Sequence, residues 1–491
     1  MLFSSYTYVL LFLPLVASGY FFANAVFGVV AARVWLVLSS FFFYGWWDVV
    51  YVPLLLGSIG FNYGLGSYLS VRKIREKWRP QILLLGVVAN LSLLGYFKYA
   101  DFFLQNVGLV FGAEFDLLQL ALPIGISFFT FQQIAFLFDA GREDRRAYTP
   151  VNYALFVCFF PQLIAGPIVH HREMMPQFED ARNDRVRLNN ISAGLFIFAI
   201  GLFKKVVLAD TFGEWADAGY RDLEVLTFLQ AWMTSLSYTF QLYFDFSGYA
   251  DMAVGAGLLF NIRLPINFYS PYKSRNIQEF WRRWHMTLGR FLREYLYIPL
   301  GGSQKGEGRL FVNLAIVFLL GGLWHGASWM FVAWGALHGS ALIVHQLWCK
   351  AGVLMPRFLA WLLTFLFVNI AWVFFRAETL PDAVKVLRGM AGLDGIVLPV
   401  MPGALATLVP QLDHLPGVSF GEAWREGVTA TPYLTIILIL ASVAVVALAR
   451  NSIQLLAEYR PNFSHTLVVV VLLGVSLMMM GRTETFIYWP F

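Results

Sequence analysis

Apolar runs of about twenty residues recur along the chain, separated by short polar stretches. A run of that length crosses the hydrocarbon of a bilayer as one helix. The pattern predicts spans at roughly 8–32, 34–56, 81–99, 117–138, 151–169, 191–209, 226–247, 310–322, 328–348, 358–375, 432–449 and 465–480. Met1 to Ala32 carries no charge, and no basic residue precedes the first run. The expectation is a retained first span rather than a cleaved leader. Stretches 57–70 and 248–262 are apolar, Gly-rich and short. Each reads as a re-entrant or broken helix, which a bilayer tolerates only inside protein. The prediction is an all-α, polytopic membrane protein of about ten to twelve transmembrane helices. It forms a single membrane-embedded domain over 1–491.

The polar stretches orient these spans. Val71–Pro80 holds Arg72, Lys73, Arg75, Lys77 and Arg79 against Glu76. Gly141–Arg146 holds three Arg against Glu143 and Asp144, and Lys273–Arg309 holds eight Lys/Arg against Glu279, Glu294 and Glu307. The positive-inside rule places all three in the cytoplasm. The Pro/Gly-rich segment 394–430, with Asp394, Asp413, Glu422 and Glu426, is expected to be an extracytoplasmic loop. No internal repeat of the kind many transporters carry is visible. Tyr272–Gly302 departs from the pattern, because arginines interleave with Phe280, Trp284, Leu288, Phe291 and Tyr295 at helical spacing. It is too charged to span and too apolar for water, and fits a helix lying at the interface or dipping into the protein.

Composition agrees. The chain of 491 residues is 58% hydrophobic and 13% charged, with a mean hydropathy of +0.64. Soluble domains average about 45–50% apolar and about 25% charged. A soluble enzyme, a disordered chain and a nucleic-acid-binding module are excluded. The net charge of +5 is mild. The two cysteines, Cys158 and Cys349, are too few for a disulfide framework and read as small apolar residues.

Ionisable groups in apolar runs are functional candidates, because burying them is costly. Of eight histidines, His325 lies in LLGGLWHGASWMFVAWGALHG, crowded by small residues. Glycines there admit a ligand or another helix. His285 lies in the amphipathic segment, and a neutral imidazole is a natural proton acceptor near pH 7. His338 and His345 share a helix face and read as packing residues. No metal site is expected: His-Glu-x-x-His, a Cys pair and His-x-x-x-His are absent, and adjacent His170 and His171 would point apart on a helix. Gly-x-Ser-x-Gly and a Walker A sequence are absent too. Asp245 and Asp251 need cationic partners, for which Arg is the expectation. Gln132 and Gln133 either line a cavity or bond within the core.

Four stretches together resemble the membrane-bound O-acyltransferase family, most closely its bacterial branch containing the alginate O-acetylation membrane subunit. They are FFPQLIAGPI (159–168), FDFSGYADMAVG (244–255), INFYSPYKSRNIQEFWRRWHMTLGRFLREYLYIPLGG (266–302) and GGLWHGASWMFVAWGALHG (321–339). The opening LFSSYTYVLLFLPL and the ending FIYWPF are similar as well. The resemblance implies helices around a membrane tunnel and acyl transfer from a cytoplasmic thioester, acetyl-CoA, with no bound cofactor. It implies His325 as the central histidine and His285 as the second. Lys273, Arg275, Arg282 and Arg283 become candidates for the donor's phosphates, with a positive-inside anchor as the alternative, and Trp324 and Asp245 become candidates for substrate contact. The implied partners are membrane lipids, a polysaccharide acceptor such as alginate or cellulose, and a periplasmic or membrane-anchored acetyltransferase, with no nucleic acid. The implied location is a bacterial inner membrane. A polysaccharide-precursor transporter, or D-alanyl or peptidoglycan acyl transfer, is the alternative.

Overall fold

A computed structural model describes residues 1–70, 78–142, 148–164, 166–399, 417–421, 424, 426–429 and 431–481. The basic stretch 71–77, residues 143–147, the middle of the 394–430 segment and the FIYWPF ending lie outside the described residues.

The chain is built from helices. A π-helical turn leads into α1 (Leu13–Phe27), followed by α2 (Val29–Gly45), α3 (Val52–Ser70), α4 (Arg79–Phe111) and α5 (Ile126–Arg142). Short helices α6 (Pro150–Cys158), α7 (Phe160–Leu163) and α8 (His171–Glu179) come next. Then follow α9 (Leu188–Phe203), α10 (Asp210–Asp217) and the 32-residue α11 (Phe228–Leu259). Two short pieces, α12 (Ile277–Trp281) and α13 (Met286–Leu292), precede α14 (Glu307–His325), α15 (Trp329–Ala351), α16 (Arg357–Arg376) and α17 (Leu380–Met390). Strands β1 (Ile396–Leu398) and β2 (Val418–Phe420) pair in parallel. Helices α18 (Pro432–Leu448), α19 (Ser452–Ala457) and α20 (Phe463–Met479) complete the described chain.

Among the described residues, seven helical stretches are long and apolar enough to cross a membrane, and three shorter apolar helices join them. Large apolar side chains such as Leu109, Phe358, Leu448 and Met478 point outward, as a lipid-facing surface requires. The polar α11 is central instead, buried along almost its whole length against α9, α10 and α16 to α18. Its start is set by a capping box between Thr227 and Gln230. Glycines set how closely its neighbour lies. A Cβ on Gly201 would stand 2.5 Å from the Gly248 carbonyl, and one on Gly255 2.6 Å from that of Gly194. Small-residue faces let helix backbones pack this tightly. The same device joins α14 to α15, where a Cβ on Gly335 would meet the Phe318 carbonyl at 2.3 Å.

Several spans differ from the sequence expectation. Stretch 57–70 is not re-entrant but forms most of α3, and 248–259 simply continues α11. Gly content alone does not break a helix that is packed on its neighbours. The 117–138 run begins its helix only at Ile126. The 151–169 run is broken at Phe159 and again after Leu163, where the backbone of 167–170 leaves helical geometry. The amphipathic Tyr272–Gly302 segment is not one helix, because His285 takes a left-handed conformation (φ 43°) between α12 and α13. Phe280, Trp284, Leu288 and Phe291 are buried, so the segment dips into the protein.

The helix directions define two ends. α4 begins, α5 ends, α14 begins and α15 ends beside basic residues, and Lys350 pairs with Glu307 there. α16 runs from Arg357 on that side to Arg376 and α17 on the other. The described parts of 394–430 follow α17, and the Gly395 carbonyl accepts from Phe228 N at the start of α11. Those described parts therefore lie at the end opposite the basic one.

Candidate active site

His325 is the last residue of α14, and the helix stops because Gly326 is fully extended (φ −167°, ψ 149°). The imidazole is 2% exposed and walled by aromatic rings: Trp324, Trp334 and Phe375 lie 5.0, 5.1 and 5.2 Å away between centroids. His285 arrives from the broken segment, with the two imidazole centroids 6.4 Å apart. Forty positions apart in sequence, the two rings are neighbours in the fold.

His285 is held by a partner that sequence reasoning missed. Asn267 Oδ1 lies 3.2 Å from His285 Nδ1 and accepts from both Thr287 N (3.3 Å) and Thr287 Oγ1 (3.0 Å). An oxygen already accepting these bonds requires His285 Nδ1 to carry the proton. His285 Nε2 is then the bare acceptor, and it is buried with no hydrogen-bond partner among the described residues. Trp324 Nε1 is in the same condition as a donor. Burial without a partner costs about 1–3 kcal/mol per group. Both atoms keep an unused hydrogen-bonding capacity beside His325. Asn267→Ala removes the group that fixes the tautomer. It is expected to cut turnover about 2- to 10-fold, from the 0.5–1.5 kcal/mol of one hydrogen bond. Steady-state kinetics of the purified variant check this.

A cavity of about 510 Å3 opens beside His325. Its lining includes Trp334, Gly321 and Met286 near the histidine, and Arg282, Arg290 and Arg293 toward the basic end. Of the four cations singled out in the sequence, only Arg282 lines it. Lys273 Nζ donates to the Ala449 carbonyl at 2.6 Å, tying the segment to the end of α18. Arg283 pairs with Glu279 at 2.8 Å, and Arg275 contributes its backbone N–H to that same Glu279. Arg290 also pairs with Glu173. The sequence reading missed Arg290 and Arg293, although both lay in the flagged segment.

A second cavity, about 210 Å3, lies at the C-terminal end of α14 and is lined by Lys98, Asp101, Leu120 and Ala327. Lys98 lies in α4, roughly 28 Å from Arg79 at 1.5 Å per residue, so this cavity is distal to the basic end. Lys98 was another omission. Its signal was visible, a cation inside a predicted span.

Asp245 lines neither cavity. It forms a buried ion pair with Lys205 at 2.7 Å, and Lys205 reaches Asp210 at 2.7 Å as well. Asp251 pairs with Lys204 at 2.6 Å. The expected arginine partners are thus lysines on the turn between α9 and α10. His338 accepts from Trp281 Nε1 at 3.2 Å among aromatic rings, and Gln133 donates to Ser58 within the core. His170 and His171 do not point apart. His170 is extended, ahead of the first residue of α8, so both rings converge on Asp139 at 3.1 and 3.6 Å. Their ligating atoms lie within 4.8 Å of one another, a spacing that a cation accepts. Tyr295 also donates to Asp139 at 3.1 Å, so the cluster pins the end of the dipping segment to α5.

His325 lines the larger cavity, His285 stands 6.4 Å from it outside both linings, and the smaller cavity is lined by Ala327 just beyond the end of α14. Comparison with known proteins gives the family. Residues 75–379 match the MBOAT, membrane-bound O-acyltransferase family. The chain is 52% identical over 429 residues to a peptidoglycan O-acetyltransferase of Helicobacter pylori, covering 81% of each chain. It is 40% identical over 396 residues to a probable alginate O-acetylase, AlgI, of Pseudomonas aeruginosa, covering 79% of this chain and 75% of that one. Identity to the teichoic acid D-alanyltransferase of Bacillus subtilis is 26%, over 52% of this chain and 69% of that one. Span architecture, buried histidine pair and these relatives lead to one assignment: the chain is an acyltransferase of the membrane-bound O-acyltransferase family.

Proposed function

We propose that the protein takes acetyl groups from acetyl-CoA at the cytoplasmic face of a bacterial inner membrane and delivers them, through the His325 site, to the opposite side. The observation that carries this is the position of His325. It lines the cavity reaching toward the basic end, and the distal cavity begins two residues further on, at Ala327. The donor thioester and the acceptor hydroxyl can approach one histidine from opposite faces. Thioester and ester are close in energy, so transfer needs geometry and base catalysis rather than ATP. His325 removes the proton of the acceptor hydroxyl as its oxygen attacks the thioester carbonyl, and the CoA thiolate leaves toward the basic cavity. His285 Nε2 and Trp324 Nε1 hold the reacting groups. The final acceptor is a cell-surface polysaccharide, reached through a periplasmic or membrane-anchored acetyltransferase. Similarity to the Helicobacter protein favours a peptidoglycan glycan, and similarity to the AlgI proteins favours alginate as a second reading.

The test uses the protein sealed in vesicles with labelled acetyl-CoA on one side only. Thioester is expected to be consumed from the basic face, with label reaching a partner or glycan on the other. Absence of consumption from either face, with acceptors supplied, contradicts the proposal.

Arg282, Arg290 and Arg293 face the donor's phosphates in this account. Charge-assisted bonds of this kind are worth about 1.5–3 kcal/mol. Arg282→Ala/Arg293→Ala is therefore expected to raise the KM for acetyl-CoA about tenfold or more, with kcat much less affected. An unchanged donor KM removes the phosphate role.

A further inference from the structure

We propose that Lys98 is a positioning residue for His325: together with Tyr99 it caps the end of the helix that carries the histidine and so fixes where the imidazole stands. The inference rests on the reading of His325 as the transfer centre. The last carbonyls of any helix lack intrahelical partners. Those at the end of α14 are met from α4. Tyr99 Oη donates to the Leu323 carbonyl at 2.9 Å, and Lys98 Nζ donates to that of Trp324 at 2.6 Å and approaches that of His325 at 3.5 Å. Neighbouring residues of one helix thus hold three successive carbonyls of another, ending on the histidine.

Lys98 is well placed for this. Its ammonium lies 5.8 Å from the centre of the Trp324 ring and 3.3 Å from Ser127 Oγ. Among the described residues no carboxylate forms an ion pair with it. Nearby Asp101, in the same cavity, is occupied by the backbone N–H groups of Leu118 and Gln119 at 2.7 and 2.9 Å. Lys98 therefore directs its charge to the negative end of the α14 dipole rather than to an acid. A surface anchor would not require a buried cation here. Aromatic packing alone would not require one either, since an apolar side chain fills the same volume without the cost of burying charge. Because Lys98 also lines the distal cavity, the residue that aims His325 stands on the acceptor side of it.

The experiment compares purified wild type, Lys98→Met, Lys98→Arg, Tyr99→Phe and His325→Ala for acetyl-CoA turnover, with kcat and KM separated and thermal stability recorded. Misplacing a catalytic group by about 1 Å can cost about 10²-fold. Lys98→Met is expected to lose about 10²-fold in kcat with donor KM within about twofold. Lys98→Arg, which keeps the charge and the donors, is expected to recover at least tenfold of that, roughly half on a logarithmic scale. A Lys98→Met enzyme with the wild-type kcat overturns the proposal. So does a loss of kcat that tracks lost thermal stability and that Lys98→Arg does not rescue, which marks a structural role alone. If Lys98→Met does not accumulate in the membrane, Tyr99→Phe decides. A kcat reduced about 2- to 10-fold at unchanged KM supports the cap, and an unchanged kcat overturns it. If wild type itself leaves acetyl-CoA intact, the proposed function fails, a result separate from any difference between the variants.

Discussion

His325→Ala is expected to lose acetyl transfer by about 10²–10⁴-fold, the range of general base catalysis, while inserting and folding as wild type does. The expectation follows from where the side chain stands. It is buried at the end of α14, ringed by Trp324, Trp334 and Phe375, and it faces the cavity that reaches toward the basic end. Its removal leaves a small void among rings that already pack on one another, as Trp334 and Trp372 do at 5.7 Å. The fold therefore has little reason to fail. His285→Ala is expected to lose less, because in the proposed mechanism His285 only assists, from 6.4 Å away. Thiol release from acetyl-CoA, with thermal stability as control, measures both. Near-wild-type release by His325→Ala would remove the mechanism.

The second large effect concerns stability. Lys205 is 3% exposed and bridges Asp210 and Asp245, each at 2.7 Å. Taking one partner from a buried ion pair leaves charge in a low-dielectric interior, at a cost of about 3–5 kcal/mol. Lys205→Met is expected to destabilise the protein by that amount and to lower its yield in membranes sharply. Lys205→Met/Asp245→Asn is expected to recover part of the loss, because the neutral amide no longer needs a counter-charge. Denaturation in detergent compares the two. Equal stability of wild type and Lys205→Met would show that the buried acids do not depend on this lysine.

Much of this was legible in the sequence, and the reasons are physical. Of the ten apolar helices among the described residues, all but α3 announce themselves, because lipid imposes a length and a composition on each. His325 and His285 were legible as ionisable groups where burial is costly. Their proximity was not, because local sequence does not encode the tertiary packing of α14 on the broken segment. Asp245 looked like a ligand contact for the same reason. Only the fold reveals that Lys205, forty residues earlier, neutralises it. In sequence the candidate phosphate cations Lys273, Arg275, Arg282 and Arg283 form one cluster of a charged segment. The segment is interrupted between Lys273 and Ile277 and again at His285, so Arg282 and Arg293 line the cavity while Lys273 caps α18. Glycines in 57–70 suggested a re-entrant loop, yet α3 runs through them. Helix packing in a membrane protein outweighs the propensity cost of about 1 kcal/mol per glycine.

The central claim is that His325 is reached from opposite faces of the membrane. Cysteines at Gln346, lining the basic-side cavity, and at Leu120, lining the distal one, test it in a Cys349→Ser background. Each variant is sealed in vesicles of known orientation and treated with a membrane-impermeant thiol reagent from one side at a time. The account predicts that Gln346→Cys is modified from the basic face alone and Leu120→Cys from the opposite face alone, with transfer blocked in each case. Modification of both from the same face would contradict it.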